Sequence, residues 1–156
     1  MTTGYVPSPT PAPTPWAAPG TIRAEVSQKC LTVPENYPRN GLQLTQQICD
    51  GSQSQQWNFQ DGTWAISSTM DQSKCVDIGT LQEGFHLMLW DCNELSQQRF
   101  GYDSGMETIY LADSSGDASL CWDVPGGSSD DEGLWIWGCN GLANQQWQVG
   151  AMNEAV

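Results

Sequence analysis

Gly141-Leu142-Ala143-Asn144-Gln145-Gln146-Trp147 lies near the C-terminal end of the chain, and two shorter echoes stand upstream, Gln55-Gln56-Trp57 and Gln98-Arg99-Phe100. Each Gln-x-Trp or Gln-x-Phe closure begins 6 residues and ends 8 residues after a cysteine, namely Cys49, Cys92 or Cys139. The cysteines keep the same beat: Cys30, Cys75 and Cys121 are separated by 45 and 46, and Cys49, Cys92 and Cys139 by 43 and 47. From Thr21 onward the chain therefore reads as three copies of one unit of about 40–47 residues. Between the two cysteines of each copy stand a glycine and a short apolar run: Gly41-Leu42-Gln43-Leu44, Gly84-Phe85-His86-Leu87-Met88-Leu89 and Gly133-Leu134-Trp135-Ile136-Trp137. These runs predict short strands with period two, which removes helical solenoids. Three copies are also fewer than the usual propeller blades, so a closed threefold β-barrel is expected.

Composition narrows the function. With 156 residues the chain suits one domain, and 5 Lys+Arg against 18 Asp+Glu give a net charge of −13. That charge repels phosphate backbones and anionic membranes, so nucleic acid is a poor partner. No apolar stretch approaches the length of a spanning helix, and no basic head precedes Arg23, so membrane insertion and a secretory signal are not expected. His86 is the sole histidine, which excludes zinc sites built on several imidazoles and leaves one base for any nucleophilic triad. Sixteen glycines and eight tryptophans, with only 15% charged residues, fit a turn-rich all-β protein. Six prolines among residues 1–20 predict an extended arm or linker, with Trp16 as the one residue able to dock. A tail is expected over 151–156.

The three closures, the paired cysteines, and the runs Cys75-Val76-Asp77 and Cys121-Trp122-Asp123 resemble the ricin B-chain lectin family over about 130 residues. The resemblance implies a β-trefoil with pseudo-threefold symmetry over 21–150, in units of about 21–62, 63–107 and 108–150. It implies twelve strands, six closing a barrel and six forming three capping hairpins. Trp57, Phe100 and Trp147 would share the central core.

Six cysteines permit fifteen connectivities. Repeat symmetry selects pairing within units: Cys30 with Cys49, Cys75 with Cys92, and Cys121 with Cys139, spanning 19, 17 and 18 residues. Loops of that size give a stabilisation of about 3 kcal/mol each. Metal binding is the rival reading, but there is no C-x-x-C pair, and no metal or cofactor is expected. Disulfides point to an extracellular or secreted protein, whereas the missing signal points to the cytoplasm; both stay open.

A hexose presents vicinal hydroxyls and an apolar ring face, which call for a carboxylate with amides and for a flat aromatic ring. The family resemblance implies where these sit: an Asp two residues after the first cysteine, an aromatic two residues before the second, an Asn beside the closing Gln, and that Gln to hold the Asp. In the third unit the residues are Asp123, Trp137, Asn144 and Gln145, the first candidate. Trp135 is its departure, since the family often has Gln there. The second unit offers Asp77, Trp90, Gln97 and Gln98, with Met88 in the place of Trp135. The first unit has Thr32, Gln47 and Ser54, so neither acid nor stacking plane exists and the site should be empty. His86 reads as a partly buried strand residue. Asp130-Asp131-Glu132 reads as a solvated loop tip, with calcium as a minor alternative.

The expected function is a non-catalytic lectin for terminal galactose or N-acetylgalactosamine, acting on glycoproteins or glycolipids, with dimerisation left open. Glycoside hydrolysis needs two carboxylates about 5–9.5 Å apart, and the repeat puts Asp77 and Asp123 in separate lobes. The alternatives are a carbohydrate-binding module from a glycoside hydrolase acting on xylan, arabinan or galactan, and a trefoil protease inhibitor.

Overall fold

The computed structural model describes residues 19–60, 65–112, 120–128 and 133–151. The predicted arm, including Trp16, the loop Asp130–Glu132 and most of the predicted tail lie outside the described residues. The described chain is all-β, with twelve short strands and single 3-10 turns. In chain order these are β1 Gly20–Ala24, β2 Lys29–Thr32, β3 Thr45–Ile48, β4 Trp57–Gln60, β5 Ala65–Ser68 and β6 Lys74–Asp77. Then follow β7 Met88–Asp91, β8 Phe100–Asp103, β9 Thr108–Leu111, β10 Leu120–Asp123, β11 Trp135–Gly138 and β12 Trp147–Ala151. No helix among the described residues is long and apolar enough to cross a membrane.

The strand pairing repeats three times. Three antiparallel pairs, β12–β1, β4–β5 and β8–β9, carry the closing aromatics Trp147, Trp57 and Phe100 into register with Ala24, Ser68 and Leu111. Three more, β2–β3, β6–β7 and β10–β11, are hairpins. Each hairpin is joined to a barrel strand at its first cysteine, through Arg23↔Cys30, Ser67↔Cys75 and Tyr110↔Cys121. This is a β-trefoil, and pairing β1 with β12 leaves neither strand as an open edge. The core lies on the threefold axis, where Trp57, Phe100 and Trp147 are buried with Trp122, Ile22, Leu31, Leu44, Leu89 and Ile109. Disulfides Cys30–Cys49, Cys75–Cys92 and Cys121–Cys139 each staple one hairpin, with the pairing that repeat symmetry selects. They are consistent with an extracellular protein.

In the first unit the position of the hairpin strand differs from the sequence reading. The apolar run at Gly41 precedes its hairpin strand, the polar β3 at Thr45–Ile48, whereas the runs at Gly84 and Gly133 lead into β7 and β11 and supply Met88-Leu89 and Trp135-Ile136-Trp137 to them. The three runs also join neighbouring lobes. Gly41 N donates to Leu89 O and Leu44 N to Leu87 O, while Gly84 N donates to Ile136 O and Leu87 N to Leu134 O. Leu44, Leu87 and Leu134 need to be apolar because this junction buries them completely. Hydrophobicity there reports the core between lobes, and in the first unit the disulfide and register hold the polar strand β3 that follows.

Candidate functional site

Asp77 and Asp123 end strands β6 and β10, two residues after the cysteine that anchors each hairpin. Side chains two apart share a face of a strand, so the acid lies on the disulfide side. Across each hairpin, Cys75 faces Trp90 and Asp77 faces Met88, while Cys121 faces Trp137 and Asp123 faces Trp135. The indole is therefore diagonal to the acid on one face, within reach of a common ligand.

Both acids are only 4% exposed, and burying a carboxylate demands donors. The closing glutamines supply them. Gln145 Nε2 donates to Asp123 Oδ2 at 2.8 Å and to Gly138 O at 2.9 Å, while its Oε1 accepts from Asn140 N at 2.7 Å. Gln98 makes the matching bonds to Asp77 Oδ2 and Asp91 O, and accepts from Asn93 N. Gln55 does the same in the first unit, but meets the Thr32 hydroxyl in place of an acid. Each glutamine sits on a 3-10 turn tied to the acid's strand by one backbone bond, from Val33, Ile78 and Val124 to the carbonyls of Ser54, Gln97 and Asn144.

In the third unit Asn144 Nδ2 adds a bond to Asp123 Oδ2 at 3.0 Å, and Trp135 Nε1 donates to Oδ1 at 2.8 Å. Burial holds the Asp123 carboxyl above its ordinary value of 3.8, against the opposing pull of the bonds from Gln145, Trp135 and Asn144. In the second unit Asp77 Oδ1 accepts from Gly79 N at 2.6 Å. Gln97, in the place of Asn144, meets the Asp77 strand through its backbone carbonyl.

Trp90 and Trp137 are 44% and 40% exposed, although large aromatics of the core are sealed. Each leans on the glycine turn of the preceding lobe, where a Cβ would come within 3.9 Å of Trp90 at Gly41 and 3.7 Å of Trp137 at Gly84. Polar groups flank the rings: Lys74 Nζ and Asn40 Nδ2 both donate to Asp91, and Gly138 N donates to Glu83 Oε2. Sequence reasoning passed over Glu83, Gly84 and Gly41 because they come from another repeat. It also missed the Trp135–Asp123 bond, and the available signal was Pro125, which stands where the second unit has Gly79.

Thus Asn144 and Gln145, from their 3-10 turn, close on Asp123, which shares a hairpin face with Trp137, and Gln98 closes on Asp77, which shares one with Trp90. In the first unit Thr32 donates to Cys30 O, and Gln47 donates to Thr45 Oγ1 across from it. Neither a charge nor a ring is present there. His86 is half-buried and packs edge-on against Trp135, with ring centroids 5.9 Å apart.

Comparison with known proteins agrees with this architecture. No curated protein matches the sequence. Among solved structures, the designed threefold-symmetric protein ThreeFoil matches with a TM-score of 0.75 and 22% identity, covering 86% of this chain and 99% of its own. The C-half of the earthworm R-type lectin, solved with GalNAc, matches at 0.70 and 15% identity, covering 85% and 97%. A non-toxic homologue of type II RIPs from Momordica charantia (bitter gourd), solved with α-methyl-D-galactoside, matches at 0.71 and 17% identity, covering 85% of this chain. The present chain spans 48% of that one. The model of the ricin-type β-trefoil lectin domain matches residues 18–149, and the chain belongs to that carbohydrate-binding family.

Proposed function

We propose that this chain is a non-catalytic lectin whose domain, over 21–150, binds terminal galactose- or N-acetylgalactosamine-type sugars through its second and third units. One observation carries the reading: twice, a carboxylate held by a buried glutamine shares a hairpin face with a half-exposed indole. The carboxylate accepts from vicinal hydroxyls, the amides orient it, and the indole covers the C–H face of the ring. The first unit, with Thr32 and Gln47, binds nothing of this kind. The earthworm and Momordica proteins, solved with GalNAc and a galactoside, support the choice of sugar. A monosaccharide offers few atoms to a shallow site, so each site should bind in the millimolar to micromolar range, roughly −4 to −8 kcal/mol. Two sites on one rigid barrel then gain strength on multivalent glycoproteins or glycolipids.

A glycan array carrying galactosides, xylan and arabinan, probed with the parent, Asp77→Ala, Asp123→Ala and the double variant, tests this. Galactose-terminated glycans should retain the parent, and the double variant should lose them. Retention of the double variant at the parental level would show that the acids are not the sugar ligands.

A further inference from the structure

Trp135 faces Asp123 across β10–β11, and Trp137 follows two residues later on the same face. The Trp135 indole touches both recognition groups of the third unit at once. Its N–H donates to Asp123 Oδ1 at 2.8 Å, and its ring stacks on Trp137 with centroids 4.9 Å and planes 23° apart. A donor hydrogen for the acid and a flat face for the indole are what a pyranose would bring. We propose that Trp135 is a built-in stand-in for the sugar, closing the third-unit site until a ligand displaces it and leaving the second unit as the stronger site. This rests on the reading that both units bind galactose-type sugars.

The cause lies in one backbone atom. Asp77 Oδ1 is engaged by Gly79 N, but the matching residue of the third unit is Pro125, which has no N–H. Asp123 Oδ1, 4% exposed with its residue, is left wanting a donor, and Trp135 supplies it. In the second unit the residue opposite the acid is Met88, whose thioether has no hydrogen to give. An ionised carboxylate has about four acceptor positions. Asp123 accepts three bonds, from Trp135, Asn144 and Gln145, whereas Asp77 accepts two, from Gly79 and Gln98.

The neighbouring lobe holds the indole in place. His86 bridges to Trp135 along the backbone, and its ring meets the indole edge-on at an interplanar angle of 63°. Gly133, two residues before Trp135, admits this approach because it lacks a Cβ, which would otherwise stand 2.6 Å from His86 Nδ1.

The test isolates the third unit by placing Trp135→Gln and Trp135→Phe in a Trp90→Ala background and titrating galactose and N-acetylgalactosamine by calorimetry. Trp135→Gln should tighten binding at least about tenfold, or about 1.4 kcal/mol, and Trp135→Phe, which keeps a ring but loses the N–H, should tighten it less. A second readout needs no variant of Trp135 to fold: in the Trp90→Ala protein, the Trp135 indole N–H resonance should move on saturation with sugar as its bond to Asp123 breaks. Binding by the Trp90→Ala protein that Trp135→Gln leaves unchanged or weakens, or an indole resonance that stays put on saturation, overturns this proposal alone. Absence of binding by the parent and every variant overturns the lectin reading and this proposal with it.

Discussion

Gln55, Gln98 and Gln145 are chemically identical and equally buried, yet they hold different partners, so they separate the contribution of a charge from that of a fold. Each satisfies a backbone N–H and a backbone carbonyl five to seven residues away, and only Gln98 and Gln145 also serve a carboxylate. A hydrogen bond to a charged group is worth about 1.5–3 kcal/mol, against about 0.5–1.5 for a neutral one. Gln98→Ala and Gln145→Ala should therefore destabilise by about 3 kcal/mol in urea denaturation, and Gln55→Ala by about 1 kcal/mol less. Equal losses in all three would mean that the acids are held by something else. Asp123 also links the site to pH. Burial raises its folded pKa above 3.8, so its ionisation costs more in the folded protein than in the unfolded chain. The stability it contributes is then present below 3.8 and lost as pH rises through the raised value. Sugar binding has the opposite sign, since hydroxyl donors need the ionised acid. In a Trp90→Ala protein, affinity should fall on acidification with a midpoint above 3.8, and a midpoint at or below that value would detach binding from Asp123.

At the scale of the element, the turn after each second cysteine shows one geometry served by unequal residues. Asp50, Asn93 and Asn140 each accept, through Oδ1, the backbone N–H two residues on. The residue between must have positive φ, and it is Gly51 at 78°, Gly141 at 71°, but Glu94 at 61°. A left-handed conformation costs a residue with a Cβ about 1–2 kcal/mol. Glu94→Gly should thus stabilise the protein by about 1 kcal/mol, less the entropy glycine adds to the unfolded chain, read as a raised urea midpoint at constant slope. A lower midpoint would refute the strain at this turn. The same comparison explains what was legible. Cysteine spacing and the closures gave a closed threefold barrel and the disulfides, because a repeat fixes register, and the family resemblance they carry implied the trefoil and pointed to Asp123 and Trp137. The apolar runs misplaced β3 because Leu42 and Leu44 answer to a neighbouring lobe, and no local pattern marks Thr45–Ile48 as a strand. Trp135 was visible as a substitution, but its bond to Asp123 depends on the N–H that Pro125 lacks and on a side-chain direction that spacing does not encode.

Across the whole molecule, the threefold pattern breaks at the centre of the core. Trp57 Nε1 donates to Leu31 O and Trp147 Nε1 to Trp122 O, each at 3.1 Å. The remaining closing residue, Phe100 of the second unit, has no N–H on its ring, and its matching carbonyl would be that of Val76. Where the other units have Leu31 and Val76, the third has Trp122, whose ring meets Phe100 at 5.2 Å and Trp147 at 6.0 Å, both edge-on. Trp122 is fully buried, and its Nε1 has no hydrogen-bond partner. The smaller ring at 100 and the larger one at 122 therefore compensate in volume, at the cost of a buried, unmatched donor. Phe100→Trp alone should overpack the centre and destabilise by about 1–3 kcal/mol. Trp122→Leu alone should open a cavity and cost about 3–5 kcal/mol. Combined, the two changes restore volume, remove the orphan N–H and aim a new one at Val76 O, so the double variant should lie at least about 1 kcal/mol above the sum of the singles. Thermal or urea unfolding of the four proteins measures that coupling, and strict additivity would mean that residues 100 and 122 do not share the space between the second and third lobes.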